Sequence, residues 1–293
     1  MPTKIEKDDV TGVMTTGHEW DGVKELNNPL PSWWLWMFYA CILFAIVYAV
    51  LYPAIPTGGS YTKGLLGHSD RLAVADDLTA AKAAQSTYLT RIGETQLAAI
   101  RDDADLLNFS LAGGRAVFAD NCAGCHGSGA TGGPGYPSLQ DDDWIWGGSI
   151  EAIHQTITHG IRWEADNDSR FSEMPRFGAD GILTAPQISQ VANYVLSLSG
   201  APHNAAEAQE GEQLFVDNCV ACHGEKGAGN QELGAPRLSD QIWLFGGSKE
   251  AVMAQINAPH QGVMPAWTGR LDEATIKMLA VYVHSLGGGQ ASN

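Results

Sequence analysis

The chain has 293 residues, room for one large domain or two to three small ones, and its 44% apolar content supports buried cores rather than disorder. Acids outnumber bases 33 to 17; the charge of −16 excludes the basic footprint of a nucleic-acid binder and suits a face that attracts basic partners. Five clustered cysteines exclude a disulfide-rich scaffold. Residues 1–32 are a polar segment holding Lys4, Lys7 and Lys24. From Asn27 to Thr62 there is no charged residue, and Trp33 to Tyr52 is an unbroken apolar and aromatic run of 20 residues. That length crosses a bilayer core, and no period leaves a polar face for a soluble helix. Trp33, Trp34 and Trp36 at one end and Tyr48 and Tyr52 at the other form interfacial belts, with Pro31 and Pro53 as brackets. The run is longer than a signal-peptide core and lacks a small-x-small cleavage site, so residues 33–52 read as a retained transmembrane helix with Cys41 as a small apolar residue inside it. Residues 53–110 read as a Pro/Gly-rich tether followed by an Ala-rich stretch, 70–107, of one or two helices.

The remainder is an internal duplication. Gly114 to Cys122 aligns with Gly211 to Cys219 at an offset of 97, Trp144-Ile-Trp-Gly-Gly-Ser149 with Trp243-Leu-Phe-Gly-Gly-Ser248 at 99, Met174-Pro175 with Met264-Pro265 at 90, and Tyr194 with Tyr282 at 88. Copy one spans 111–203 and copy two 204–293, with nine extra residues in copy one between the Gly-Gly-Ser and Met-Pro landmarks. Each reads as helix, CxxCH, loop, short helix, Met-Pro loop, helix, with no convincing strand. Ile188, Val191, Val195 and Leu198, and their counterparts Ile276, Leu279, Val283 and Leu286, give the last helices one apolar face each. Thr184 and Asp272 are expected N-caps, and Gly200 and Gly287 expected stops.

Cys122-Ala-Gly-Cys125-His126 and Cys219-Val-Ala-Cys222-His223 are c-type haem attachment motifs. Two thiols add to the haem vinyl groups, and the adjacent imidazole is held on the iron from the same helical turn. A zinc site built from both cysteine pairs would leave both histidines unused, and a redox CxxC expects a βαβ setting not read here. An electron-transfer haem needs a sixth ligand, and Met174 and Met264, in repeated Met-Pro loops, are the candidates. Met253 and Met278 read as core, and Met37 and Met14 lie outside the copies. His154, His159 and His260 have no equivalents across the copies and read as propionate or solvent contacts, with bis-His axial ligation as the lesser alternative; His203 reads as linker and His284 as helix packing. Arg162, Arg237 and Arg270 are either propionate contacts or solvated. Asp141-Asp142-Asp143 reads as a solvated loop, with a docking face for a basic donor as the sharper alternative. No catalytic constellation or phosphate-cradling loop stands out.

The string Thr15-Thr-Gly-His18-Glu-Trp20-Asp21-Gly22, then Glu25-Leu-Asn-Asn-Pro29-Leu-Pro31-Ser-Trp33-Trp34-Leu-Trp36, leads into one anchor and two CxxCH domains. This arrangement closely resembles the membrane-anchored dihaem subunit of cbb3-type cytochrome c oxidases, the CcoP/FixP family. The resemblance implies a mainly α fold: one N-terminal transmembrane helix and two tandem cytochrome c domains with two covalently bound haem c. It implies that Cys122, Cys125, Cys219 and Cys222 attach haem, with His126 and His223 as proximal and Met174 and Met264 as distal ligands. The implied role is electron transfer, without oxygen reduction by this chain itself. Electrons come from a donor cytochrome c, expected to be basic at its docking face, or from an upstream complex. They pass to a monohaem c-type subunit and a proton-pumping haem-copper subunit. A stand-alone tethered dihaem cytochrome and a dihaem peroxidase are the alternatives. Because c-type haem is attached outside the cytoplasm, the expected placement is a bacterial inner membrane crossed once, with a cytoplasmic N-terminus and periplasmic haem domains. Copy two reads Ala258-Pro259-His260 before its Met loop, where a Gly-Arg pair is expected. Pairing of His and Met within each copy is the default, with exchanged Met loops as the alternative.

Overall fold

A computed structural model describes residues 4–291. The chain divides into two compact units, residues 1–83 and 84–293. The first opens on a hairpin, β1 (Thr15–Trp20) and β2 (Val23–Leu26). Trp20 pairs with Val23 across Asp21 and Gly22, both at positive φ (50° and 85°), the twist that a two-residue hairpin turn requires. The Asp-Gly dipeptide carries this signal, inside a segment that reads only as polar on composition. Helix α1 (Ser32–Leu51) follows, one residue ahead of the expected span, and it is apolar on every side. No residue of it is buried; Trp36 is 75% and Phe44 68% exposed. Such a helix fits a surrounding that is itself apolar. Beyond it the tether folds back, with Leu65 N–H donating to the Val50 carbonyl at 2.9 Å and Leu66 N–H to Leu51 at 3.1 Å. Gly64, at φ +70°, makes this approach, since any Cβ there would run into the Leu51 carbonyl.

Helix α2 (Asp70–Glu94) follows. In the second unit a 3-10 turn (Ala98–Asp102) leads to α3 (Ala104–Asn121), which starts inside the stretch expected to be linker because Asp103 caps it. The Asp103 carboxylate accepts from the N–H groups of Asp105 (3.0 Å) and Leu106 (3.1 Å). Then follow α4 (Ala123–His126), α5 (Ile150–His159), α6 (Ala185–Leu198), α7 (Ala205–Asn218), α8 (Val220–His223), α9 (Lys249–Asn257) and α10 (Glu273–His284). The expected caps are present. Thr184 donates from backbone and hydroxyl to the Gln187 side chain, and Asp272 accepts from Thr275 N–H. Gly200 and Gly287 follow the two last helices at positive φ.

The two copies pack across one another. The last helix of each copy leaves its own copy and packs on the first helix of the other. One core joins Phe118, Ile150, Ile153 and Ile157 of copy one, with Leu106 just before it, to Ile276, Leu279 and Val283 of copy two. The second joins Ile188, Val191 and Val195 of copy one to Phe215, Val252 and Ile256 of copy two. The two helix crossings are equivalent. Gly114 of α3 lies against the Met278 carbonyl of α10, and Gly211 of α7 against the Gln190 carbonyl of α6, each too close for a Cβ. Phe118 meets Tyr282 with centroids 5.6 Å apart, and Phe215 meets Tyr194 at 5.2 Å. Met278, at 4% exposure, is core as expected. The second core is thus built from one contiguous stretch, Phe177 to Ile256, inserted between α5 and α10 of the first.

The haem-turn loops of the copies also meet each other. Gly135 N–H donates to the Leu244 carbonyl at 2.8 Å and lies against the Phe245 ring; in the mirror contact Gly234 lies against Trp146, the equivalent of Phe245.

The crossing glycines give a test. Gly211→Ala places a methyl against the Gln190 carbonyl and is expected to cost about 1–3 kcal/mol, read as a lower denaturant midpoint by far-UV circular dichroism. Gly93→Ala in α2, where a Cβ meets nothing within 4 Å, is the control and leaves the midpoint unchanged or slightly raised.

Candidate haem sites

Each CxxCH sits at the end of the first helix of its copy. Cys122 N–H still donates to Phe118 at 2.8 Å, and the chain then winds one further turn, with Cys125 and His126 N–H both bonding to the Cys122 carbonyl (3.1 and 2.9 Å). Gly127, at φ 81°, ends it. Copy two repeats this geometry, with Cys219 N–H on Phe215 (2.8 Å), Cys222 and His223 on Cys219 (3.1 and 2.9 Å), and Gly224 at φ 73°. Two thiols and an imidazole therefore share one tight turn in each copy, and all four cysteines are free of disulfides.

The imidazoles are oriented from outside the turn. His126 Nδ1 lies 3.1 Å from the Pro137 carbonyl, and His223 Nδ1 lies 3.0 Å from the Pro236 carbonyl. A carbonyl only accepts, so Nδ1 carries the proton and Nε2 keeps its lone pair for a metal. Burial holds both imidazoles below the usual histidine range, which keeps them neutral. Burial likewise pushes the Cys122 and Cys219 thiols up to about 11, with the neighbouring Cys125 and Cys222 adding to it. The positioning carbonyls were missed by sequence reasoning, although Pro137-Ser-Leu139 and Pro236-Arg-Leu238 repeat in the two copies.

The expected distal residues come together with these turns crosswise. Met264, like Cys122 and Ala123, packs against the core that contains Phe118; Met174, like Val220, packs against the core that contains Phe215 and Cys219. Backbone contacts hold the exchange. Ile161 and Met264 trade N–H···O bonds of 2.9 and 3.0 Å, and Gly160, at φ 73°, has no room for a side chain beside the Met264 carbonyl. On the other side Ala179 N–H donates to Asn257 at 3.0 Å. A neutral nitrogen donor, two thiols on one turn and a half-buried thioether in the same core fit a covalently attached haem with His and Met axial ligands. The stray histidines have protein partners instead: His154 faces Glu273 (3.2 Å), His159 faces Asp166 (3.1 Å) and His284 faces the Gln290 carbonyl (2.8 Å). Arg270 stacks over Trp163 and Trp267 (5.5 and 5.7 Å), Arg237 lies 4.0 Å from Asp240, and Arg162 donates to backbone carbonyls.

Three family models match the chain in order: the N-terminal domain of cytochrome oxidase-cbb3, FixP, over residues 12–59; cytochrome c over 111–199; and cytochrome c oxidase, cbb3-type, subunit III over 206–283. Similar curated proteins are the cbb3-type cytochrome c oxidase subunit CcoP of Cereibacter sphaeroides, 54% identical over 94% of this chain and 95% of that one, and subunit FixP of Sinorhizobium medicae, 52% identical over 97% of each. Subunit CcoP of Azospirillum brasilense is 52% identical over 97% of this chain and 99% of its own. The chain belongs to the CcoP/FixP family. As a CcoP/FixP subunit it is a membrane-anchored dihaem cytochrome with two covalently bound haem c groups, made for electron transfer and distinct from the oxygen-reducing subunit.

The acidic run near the first site is not uniformly solvated. Asp143 is half-buried, and burial, with Asp240 and Asp141 nearby, pushes its carboxyl up to about 6. A carboxyl raised from its ordinary 3.8 binds a proton more tightly in the folded state, so its contribution is favourable below that value and lost as pH rises through about 6. Asp143→Asn is therefore expected to raise stability at pH 7, with the difference closing toward pH 4. Solvent screening keeps the gain below about 1 kcal/mol. Denaturant curves of both proteins at the two pH values check this.

Proposed function

We propose that each haem is held by the CxxCH of one copy and capped by the methionine of the other. Cys122, Cys125 and His126 work with Met264, and Cys219, Cys222 and His223 with Met174. The observation that carries this reading is that Met264 and Cys122 pack against the same core. When bound, haem c supplies reversible one-electron transfer at its iron. The chain's own residues do the rest: the cysteines fix the group by two thioethers, the Pro-anchored imidazole presents Nε2, and the Met loop supplies a thioether. A His/Met pair holds the potential higher than a bis-His pair would.

In this reading the subunit takes electrons from a donor c-type cytochrome and passes them to a monohaem c-type subunit and a haem-copper subunit of a proton-pumping cbb3-type oxidase. The acidic balance of the two copies, 20 acids against 9 bases, supports a donor that is basic at its docking face. Helix α1 lies in a bacterial inner membrane, with the N-terminus cytoplasmic and the haem-bearing unit periplasmic. What supports this orientation is the attachment of c-type haem outside the cytoplasm.

The pairing is tested in chains that keep a single haem. Met264→His is expected to give a bis-histidine spectrum and a lowered potential when only the copy-one haem is kept (Cys219→Ser, Cys222→Ser). It gives neither when only the copy-two haem is kept (Cys122→Ser, Cys125→Ser). The reverse result establishes pairing within copies. Electron entry from a basic donor cytochrome is expected to slow as ionic strength rises, in stopped-flow reduction, because screening weakens the encounter.

A further inference from the structure

The nine residues by which copy one exceeds copy two fall between Gly-Gly-Ser149 and Met174, and they build a loop with no counterpart. It is closed by its own bonds. Arg162 N–H donates to the Arg170 carbonyl at 2.8 Å, Arg170 N–H to Gly160 at 3.2 Å, and Trp163 N–H to the Ser169 hydroxyl at 3.0 Å. Outside this ring His159 pairs with Asp166 at 3.1 Å. The closure holds Arg162 at φ 51°, a left-handed conformation that a long side chain seldom adopts. Strain of this kind persists only where the surroundings impose it, and it aims the guanidinium.

That guanidinium is half-buried and has two backbone targets. Its Nε donates to the Gly262 carbonyl at 2.7 Å, and its Nη1 to the Ser172 carbonyl at 3.0 Å. Ser172 stands two residues before Met174, and Gly262 two residues before Met264. One side chain thus grips the two methionine loops at equivalent positions. Among the described residues no carboxylate forms an ion pair with it; Glu173 acts on it through space, and its side-chain hydrogen bonds go to these two carbonyls. Gln261 adds a second link, its side-chain amide lying 3.4 Å from the Met174 carbonyl.

We infer that Arg162 is a positioning residue common to both haem sites, a clamp that holds the Met174 and Met264 loops in place for axial ligation. The inference rests on the proposed ligands. Arginine suits the task because its planar fork serves two acceptors at fixed angles, whereas a lysine ammonium is a single point. Losing the clamp frees two loops at once, so either methionine is displaced more readily by an external ligand.

The test uses the purified complete oxidase in its ferric form, with imidazole as the competing ligand. The readout is the far-red sulfur-to-iron charge-transfer band of methionine-ligated haem c, together with the Soret shift. Arg162→Gln is expected to let imidazole displace methionine at both haems at concentrations on the order of tenfold lower than wild type, about 1.4 kcal/mol. Arg162→Lys falls between the two, and Arg115→Gln, on the exposed face of α3, matches wild type. Wild-type imidazole affinity at both haems, or a shift at one haem only, overturns the clamp. If Arg162→Gln does not assemble, the Arg162→Lys titration carries the same decision. A wild-type protein with no methionine band at either haem overturns the ligand assignment itself, a failure separable from that of Arg162.

Discussion

Both sites depend on a helix crossing at which a glycine lets one backbone reach another. Gly114 and Gly211 leave no room for a methyl, and an aromatic pair, Phe118 with Tyr282 or Phe215 with Tyr194, locks each crossing. Because the partner helix comes from the other copy, every later feature is shared between copies. The Met-Pro loop that precedes each last helix is carried across with it. Neither copy closes its own core, and each Met packs against a core that includes the first helix of the other copy.

Much of this was legible in the letters. Repeated landmarks marked the two copies, the 3-4-3 apolar spacing marked α6 and α10, and Thr184 and Asp272 marked where they begin. The CxxCH turns, the Met-Pro loops and the uncharged run of α1 pointed to the same residues that the structure gathers. The crossing of the last helices was not legible, for a physical reason. Ile188, Val191 and Val195 offer the same stripe as Ile276, Leu279 and Val283, so local apolar pattern cannot say which first helix each will cover. The proximal carbonyls of Pro137 and Pro236 were hidden because a backbone acceptor leaves little mark on residue type. The hairpin at Asp21-Gly22 was written in a strong turn dipeptide, but the flanking strands lack the apolar alternation that announces a sheet.

The two halves solve the proximal side in the same way and differ where they face one another. On the proximal side a helix end, a turn, a glycine and a proline carbonyl recur almost atom for atom. On the facing side copy one carries an extra loop, a strained arginine and a half-buried aspartate beside Asp240. Symmetry in the first place and asymmetry in the second fit a duplication whose copies differ mainly along the seam between them.

The nesting of one core inside the other has a consequence for how the chain is made. Met174 precedes His223 by 49 residues, and everything the inner core needs lies in a single stretch of chain. In the proposed pairing His126 must wait for Met264, 138 residues further on, and for α10 behind it. Contacts so distant in sequence form late, after the entropy of a long closed loop has been met. As the polypeptide emerges from its N-terminus, the first attachment motif to appear is therefore the last to be enclosed. Until the final helix arrives, that pocket stays accessible to the machinery that attaches its cofactor.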